Sequence, residues 1–498
     1  MMSSTSRCVC SSTESMAAPR YASTLKAGMM TDTEGFIAER SRSSGFTQIT
    51  TLLPSGVMAR IVFLPLPEAG HIHATFGLAR QLASRGHELV YMAPPDGEAF
   101  LRERPWPFIP IHEEAMPRGR QAELDAQLAA PGLSPQARKD IIREVIHRHG
   151  LRITEALFGT TLEARLREAR ADLLLVDATF PLPVLAAHKA GVPAFQLCTN
   201  LALNRDVAVP PLNSHHVPTG SVGSRLGIRL AWQWQYLRTF LPFEEKMRER
   251  LRAFYRLHPG APRASFNTHL QIGPHFQVPT LVMSAPEFDF RRSAADVHYL
   301  GPCVDLDRAE PPLRLDPPQD DSPLILCSLG SHGDRLRGHQ AFFQSVISAV
   351  ARRPRLRLLM AVGKQLRTDA FGPLPPNVTV VDWVPQLTAL KQASLMITHG
   401  GLNSVKECIC LGVPMLVYPL MFDQPGNAAR VVHHGLGLRG NIRETSAEQV
   451  GAQLDQLLGT PAFQARTRAM QRTFLEADAA SRGAVTLEQL LQGQRLAA

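Results

Sequence analysis

The chain has 498 residues, a length that predicts two domains rather than one core. Hydrophobic residues make up 44% and charged residues 19%, a globular composition that excludes a disordered or fibrous protein. The net charge is +9, but the basic residues are scattered arginines without interleaved aromatic residues, so nucleic acid is not expected as a partner.

The cysteines and the hydropathy indicate a cytoplasmic protein. Seven cysteines form no C-x-x-C pair, and an odd count is typical of free thiols in a reducing compartment. No apolar run is long enough for a transmembrane segment, so none is predicted.

Residues 1–57 differ in composition from the rest of the chain. They are rich in Ser, Thr, Arg and Met without a helical or strand period, so we predict a disordered N-terminal extension. A transit peptide is the alternative, but Glu14, Asp32, Glu34 and Glu39 are poor fits for one. The folded protein is expected to begin at Met58.

From Met58 onward, short apolar strands alternate with helices. The predicted elements are strands at 60–65 and 88–92 around a helix at 71–85, then strands at 173–176 and 194–197 around a helix at 181–190. This alternation predicts an α/β fold with parallel sheets covered on both faces.

The segment between residues 200 and 279 is the most aromatic part of the chain. Its rings are Trp232, Trp234, Tyr236, Phe240, Phe243, Phe254 and Tyr255. Packing of ordinary helices is one interpretation, and the lining of an apolar acceptor pocket is the other.

Residues 305–322 contain two Pro-Pro pairs and several acids, a composition that predicts a linker. The sequence Asp305-Leu306-Asp307 has the form of a metal clamp, but we interpret it as solvated linker and assign no metal. The strand pattern restarts at 324–329, so two similar halves are expected, with ligands beyond the carboxyl ends of their strands.

The most informative stretch is the strand-to-helix turn at residues 395–407. Two glycines follow the strand, and the next helix would offer free N–H groups to a phosphate. Asn403 and Ser404 could also be simple helix caps, but that does not explain His399 at the strand exit. Glu407 lies one turn beyond Asn403, within reach of the ribose next to a diphosphate.

Two further motifs flank this turn. Asp382-Trp383-Val384-Pro385-Gln386 precedes it, and Tyr418 to Gln424 follows it. The run from Trp383 to Gln424 resembles the nucleotide-sugar signature of the family-1 UDP-glycosyltransferases. Gly70-His71, Gly86-His87 and Leu329-Gly330-Ser331 extend the resemblance over nearly all of the chain from Met58, and it is strongest to bacterial macrolide, natural-product and carotenoid glucosyltransferases.

The resemblance implies a GT-B fold, two Rossmann-like domains facing across a cleft. The expected boundaries are an acceptor-binding domain at 58–304, a linker at 305–322, a nucleotide-sugar-binding domain at 323–475 and a C-terminal helix at 476–498 that packs back on the first domain.

The resemblance also implies roles for single residues. Trp383 would stack on the base with Val384 and Gln386 nearby, and Glu407 would bind the ribose. The diphosphate would be held by His399, Gly401, Asn403, Ser404 and Ser331, and the transferred sugar by Asp423 and Gln424. For each of these residues a structural role is the alternative, such as Trp383 in the core or Asp423 capping a turn.

The expected catalytic base is His71, paired with Asp177. A general base must take the acceptor proton, and an acid that accepts from the imidazole would fix its tautomer. The family pairs His and Asp at these places, but the Pro usual shortly after the His is absent, so His73 is a second candidate.

We therefore predict an inverting glycosyltransferase that moves a hexosyl group, glucose from UDP-glucose in the first instance, onto a hydroxyl of a hydrophobic small molecule. A dTDP-sugar is an alternative donor, and no cofactor or metal is expected. The alternative functions are a nucleotide-sugar epimerase or hydrolase of the same fold and a non-catalytic nucleotide-sugar-binding partner. A dinucleotide-dependent oxidoreductase is disfavoured, because no G-x-G-x-x-G follows the first strand.

Overall fold

The computed structural model describes residues 58–130, 132–237, 241–266, 274–293, 297–313, 322–330, 339–363 and 366–497. The predicted extension at 1–57, the site residue Ser331 and part of the predicted linker lie outside these residues.

The first half contains a parallel sheet of seven strands. Its strands and those of a small hairpin are β1 (Arg60–Leu64), β2 (Glu88–Ala93), β3 (Phe108–Pro110), β4 (Leu173–Asp177), β5 (Ala194–Cys198), β6 (Ala264–Ser265), β7 (His275–Phe276), β8 (Thr280–Val282) and β9 (Val297–Tyr299). The order in the sheet is β3-β2-β1-β4-β5-β8-β9, and β6 and β7 pair separately as an antiparallel hairpin.

The helices of the first half are α1 (Ala69–Ile72), α2 (Phe76–Ser84), α3 (Arg120–Ala129), α4 (Pro135–Phe158), α5 (Thr161–Glu168), α6 (Pro183–Ala190), α7 (Val222–Gln235) and α8 (Leu241–Leu257). The helix predicted at 71–85 is divided, because a 3-10 turn at His73–Thr75 separates α1 from α2.

The second half contains a parallel sheet of six strands in the order β12-β11-β10-β13-β14-β15. Its strands are β10 (Leu324–Ser328), β11 (Arg357–Ala361), β12 (Val378–Val381), β13 (Leu395–Thr398), β14 (Met415–Val417) and β15 (Gly437–Arg439). Its helices are α9 (His339–Ala351), α10 (Gln386–Leu390), α11 (Leu402–Leu411), α12 (Gln424–His433), α13 (Ala447–Gly459), α14 (Pro461–Ala479) and α15 (Arg482–Ala497). The predicted fold class, α/β with two Rossmann-like sheets, is confirmed.

Both sheets reverse their strand order next to the first strand of each half. In the first sheet the reversal lies between β1 and β4, and in the second between β10 and β13. A parallel sheet forms a crevice at such a reversal, outside the carboxyl ends of the strands. His71 and Asp177 therefore lie at one crevice, and His399 lies at the other.

Two buried charges join the halves. Arg430 on α12 donates from Nε and Nη2 to Oδ1 of Asp289 at 2.8 and 2.5 Å, and both side chains are almost completely buried. Lys406 on α11, also buried, donates from Nζ to the carbonyl oxygens of Met283 and Pro302 at 3.1 and 2.9 Å. A buried charge without its partner is costly, so these contacts fix both helices against the first half.

The interpretation of Asp305-Leu306-Asp307 as solvated linker was wrong for Asp305. Its carboxylate is buried and accepts from the guanidinium groups of Arg80 and Arg104, while Asp307 is exposed. The burial of Asp305 could not be predicted from the local composition, because the arginines that neutralise it lie about two hundred residues away in the chain.

The last helix, α15, packs on the first half. Glu488 accepts from both Nε and Nη2 of Arg85 at 2.6 and 2.7 Å, and its Oε1 lies 3.0 Å from Nε2 of His87. Leu487 and Leu491 lie in the apolar cluster under the first sheet. The domain boundary predicted after residue 475 falls inside α14, which ends at Ala479.

Among the helices of the described residues, none combines the length and the apolar composition needed to cross a membrane.

The buried ion pair between the halves gives a first prediction. Arg430→Ala leaves Asp289 buried with fewer partners, so unfolding should become easier by about 3–5 kcal/mol and the thermal midpoint should fall by several degrees. Thermal unfolding followed by circular dichroism measures this. Arg367→Ala, which removes the exposed pair with Asp369, is the control and should leave the midpoint unchanged. Equal midpoints for the two variants would contradict the structural role of Arg430.

Candidate active site

The pair expected to act as base lies at the crevice of the first sheet. His71 lies in the short helix α1 after β1, and Asp177 is the last residue of β4. Nδ1 of His71 lies 2.7 Å from Oδ2 of Asp177. Because a carboxylate only accepts, Nδ1 of the neutral imidazole carries the proton, and Nε2 of that form keeps its lone pair. No described residue makes a hydrogen bond with that Nε2, so it is available as a base.

The charges around the pair shift the pKa values of both His71 and Asp177. Burial lowers the pKa of His71, but the surrounding carboxylates, Asp177 foremost and then Glu68 and Asp423, more than offset this and raise it to about 8. Burial acts to raise the pKa of Asp177, and the nearby imidazole reverses that effect, so the pKa ends below its usual value. The Asp177 carboxylate also accepts from the backbone N–H groups of Leu66 and Thr179, which hold it in place.

A third side chain at this position was not foreseen from the sequence. The hydroxyl of Thr199, just after β5, lies 2.8 Å from Nδ1 of His71. Thr199 is the residue after a buried strand, and the carboxyl end of β5 lies next to that of β4. The rule that ligands bind beyond the carboxyl ends of parallel strands could therefore have identified Thr199 from the sequence.

His73, the second candidate base, differs from His71. It is exposed and packs its ring at 5.4 Å from Phe76 and from Phe100. Within the described part of the chain it pairs with no carboxylate. The geometry therefore favours His71, which has the acidic partner.

In the second half, glycines surround the ring of His399. A Cβ on Gly401 would come within 2.6 Å of Nε2 of His399, and Gly400 adopts a φ of +84°, which favours glycine. The two glycines thus allow β13 to turn into α11 directly beside a buried imidazole.

Asn403 and Ser404 do not cap α11. The helix begins after Gly401 without a side-chain cap, so both residues lie inside its first turn. Nδ2 of Asn403 instead donates to the carbonyl oxygen of Gly70 at 2.6 Å. The first turn of α11 is thereby joined to the residue before His71.

Glu407, the residue expected to bind ribose, already has partners. Its Oε2 accepts from Nε2 of Gln386 at 2.6 Å, and its Oε1 accepts from Arg308. Arg308 also pairs with Glu310, whose carboxylate accepts from the backbone N–H of Thr388. The start of the predicted linker is therefore anchored at this position, which composition alone could not indicate.

The other predicted nucleotide residues differ in exposure. The side chain of Trp383 is 59% exposed, so the alternative that it lies in the core is wrong. Val384 is buried in the apolar cluster below it, and Gln386 begins α10 with its amide 3.2 Å from the hydroxyl of Ser404. An exposed indole beside a polar patch has the geometry for stacking on a base.

Asp423 and Gln424 lie at the start of α12. Asp423 is buried, which raises its pKa, and it accepts from Nδ2 of Asn427 at 2.9 Å. It makes no side-chain cap of α12. Oε1 of Gln424 accepts from the backbone N–H groups of Leu420 and Met421, which leaves its amide nitrogen for a ligand.

A polar cluster next to Asp177 was also missed. Four buried atoms of this cluster have no hydrogen-bond partner among the described residues: Nε2 of His112, Nε2 of His149, Nε of Arg152 and Oε1 of Glu155. Arg152 lies over the ring of Phe180 at 4.3 Å, and burial lowers its pKa to about 10. These residues come from α4 and the segment after β3, so only the folded chain brings them together.

The aromatic segment divides into two groups. Trp232 and Phe254 are buried, and the indole of Trp232 donates to the carbonyl oxygen of Val209 at 2.8 Å. Trp234 is exposed. Phe240 and the side chain of Phe243 lie outside the described part. A cleft of about 1640 Å³ borders Trp232, but it does not include His71 or Asp177.

Comparison with known proteins identifies the second half. Residues 328–478 match the family described as UDP-glucoronosyl and UDP-glucosyl transferase. This range contains the described residues of the predicted nucleotide site, which lie on α10, α11 and α12 and in the segments just before these helices.

Residues 328–478 are a UDP-glycosyltransferase domain.

Relatives of similar length support this. Zeaxanthin glucosyltransferase of Pantoea ananas is 28% identical over 441 residues, which cover 87% of this chain and 96% of the relative. Demethyllactenocin mycarosyltransferase of Streptomyces fradiae is 28% identical over 393 residues, covering 76% of this chain and 75% of the relative.

Among solved structures, the calicheamicin glycosyltransferase CalG4 superposes with a TM-score of 0.61 at 21% identity, covering 87% of this chain and 98% of the other. The protein therefore has the GT-B fold, of which the UDP-glycosyltransferase domain is the second half.

The charge state of His71 gives the second prediction. Asp177→Asn removes the carboxylate that contributes most to raising the pKa of His71, so burial should bring that pKa down from about 8. Titration of the imidazole resonances by NMR measures it, with His71→Gln used for assignment. Asp140→Asn, an exposed change on α4, should leave the pKa of His71 where it is. An unchanged titration in Asp177→Asn would show that the pair is not coupled.

Proposed function

We propose that this protein is an inverting glycosyltransferase that moves a hexosyl group from a nucleoside diphosphate onto a hydroxyl of a lipophilic small molecule. Glucose from UDP-glucose is the proposed donor, with a dTDP-sugar as the alternative. The contact between Asn403 and Gly70 carries the proposal, because it joins the helix assigned to the diphosphate to the loop that holds His71.

The first half would supply the base. The acceptor hydroxyl gives its proton to Nε2 of His71 while its oxygen attacks the anomeric carbon of the sugar. Asp177 accepts from Nδ1 and stabilises the imidazolium that forms, as the acid does in a catalytic triad. Attack from the side opposite the leaving group inverts the anomeric centre.

The second half would stabilise the leaving diphosphate. As the bond between the anomeric carbon and the phosphate oxygen breaks, negative charge develops on that oxygen. The N-terminus of α11, with ten residues, presents unpaired N–H groups and the positive end of its dipole. His399, Asn403 and Ser404 lie around this end of the helix. No metal is assigned, so EDTA should leave turnover unchanged.

The sugar and the acceptor are assigned by their chemistry. Asp423 and the free amide of Gln424 suit hydroxyl groups of the transferred sugar. The acceptor is proposed to be lipophilic, because the relatives include proteins named for the glucosylation of zeaxanthin, and the first half is rich in aromatic residues.

Incubation of the protein with UDP-glucose, with and without lipophilic alcohols, tests the proposal by mass spectrometry of the products. A glycosylated alcohol together with UDP supports transfer. Free glucose with every alcohol would indicate a hydrolase, and a changed sugar still attached to UDP would indicate an epimerase. Binding of the donor without any reaction would indicate a binding partner.

The base assignment gives the third prediction. His71→Ala should lower turnover by about two to four orders of magnitude, because no other side chain takes the acceptor proton. UDP binding, measured by calorimetry, should stay near that of the native protein. His73→Ala is the matched control, with a much smaller loss. A large loss in His73→Ala and native turnover in His71→Ala would overturn the assignment.

The ribose assignment gives the fourth prediction. Glu407→Ala removes charge-assisted hydrogen bonds of about 1.5–3 kcal/mol, so UDP should bind roughly ten- to a hundredfold more weakly by calorimetry. Glu448→Ala, an exposed change on α13 of the same domain, is the control and should bind UDP normally. If Glu407→Ala also binds UDP like the native protein, Glu407 does not contact the ribose.

A further inference from the structure

Helix α7 has apolar residues on two opposite faces. Ile228 and Trp232 are buried against the first half. A second row, spaced by four residues, faces solvent: Val222, Leu226, Leu230 and Trp234 are 83%, 56%, 60% and 66% exposed. At 100° per residue, this row lies on the side of the helix opposite the buried face. We call it the apolar stripe.

Arginines border the apolar stripe. Arg225 and Arg229 lie one turn apart on α7, and both are exposed. They face a cleft of about 1640 Å³ that also takes in Arg205 and Arg291. No described residue forms an ion pair with any of these four arginines. The lining holds five arginines against three carboxylates, and one of the carboxylates, Asp289, is already paired with Arg292 and Arg430.

This arrangement fits a lipid surface carrying negative charge. An amphipathic helix that lies in the headgroup plane combines an apolar row with basic residues along its edges, and a tryptophan favours that interface. The net charge of +9 adds long-range attraction to anionic lipids. A second copy of the chain fits less well, because a twofold contact through the stripe would bring Arg225 and Arg229 of both copies together.

We propose that α7 docks the protein on anionic bilayers, with the apolar stripe inserted at the headgroup boundary and the arginines on the lipid phosphates. The docking itself does not depend on the catalytic assignment. The reason for it rests on the proposed function, since a lipophilic acceptor dissolved in a bilayer would be reached from that surface.

Co-sedimentation with vesicles tests the apolar stripe. The native protein should bind phosphatidylcholine vesicles that contain phosphatidylglycerol. Leu226→Ser combined with Leu230→Ser should lower the partition coefficient about ten- to a hundredfold, because two leucines that insert at the headgroup boundary are lost. Ile146→Ser combined with Leu257→Ser is the matched control, since these residues are also exposed but lie on α4 and α8. This control should bind like the native protein.

The arginines are tested in the same assay. Arg225→Gln combined with Arg229→Gln should weaken binding to the anionic vesicles about thirtyfold at low salt. Arg138→Gln combined with Arg443→Gln removes the same charge from other exposed positions and should have a clearly smaller effect. On vesicles of phosphatidylcholine alone, the two arginine variants should not differ.

Thermal unfolding and UDP calorimetry keep this test separate from the proposed function. All four variants should keep the native midpoint and native UDP affinity, because none of these residues lies in the nucleotide site. Vesicle binding that is equal in the stripe variant and its control would overturn the docking proposal, whatever the enzyme assays show. The proposal would also be overturned if the native protein does not bind vesicles and the stripe variant loses self-association. That result would assign the apolar stripe to a second copy of the chain.

Discussion

The buried contact between Asp289 and Arg430 sets how the two halves face each other. Burial raises the pKa of Asp289, but Arg430 and Arg292 bring it down to about 2, so the carboxylate stays charged. A charge held away from water accepts few alternative geometries, because any shift that separates the partners leaves both unsolvated. The direction of α12 relative to the first sheet follows from this pair, and α11 is held similarly by Lys406.

This constraint reaches the candidate site through α11 and α12. Asn427, one turn before Arg430, donates from Nδ2 to the carbonyl oxygen of Gly400 and to Asp423. Asp423 lies close enough to His71 to help raise its pKa. Groups from the two crevices therefore share one electrostatic environment, and one apolar cluster likewise contains buried residues of both halves. A reaction that needs a base from one half and a charge-stabilising helix from the other requires that proximity.

Local patterns predicted most of the fold and the chemistry-bearing turns. The strands at 60–65 and 173–176 were identifiable because a strand buried on both faces is a continuous apolar run, and β1 and β4 confirm them. The contacts of Asp305 and Arg308 were not predictable. An acidic, Pro-rich stretch has the composition of solvated linker, and only the folded chain brings Arg80 to Asp305 and Glu407 to Arg308. Charged residues that are far apart in the chain leave no periodic pattern in the sequence from which their pairing could be predicted.

Helix α7 shows a different limit. Its apolar residues recur on two faces, with Ile228 and Trp232 on one and Leu226 and Leu230 on the other. A second apolar face on a helix is normally covered by protein or lipid, and the sequence does not say by which. Tertiary packing covers only the first face. The described part of the chain leaves the apolar stripe exposed, so the stability of the fold does not explain why it is apolar. The arginines beside it restrict which partners can cover it.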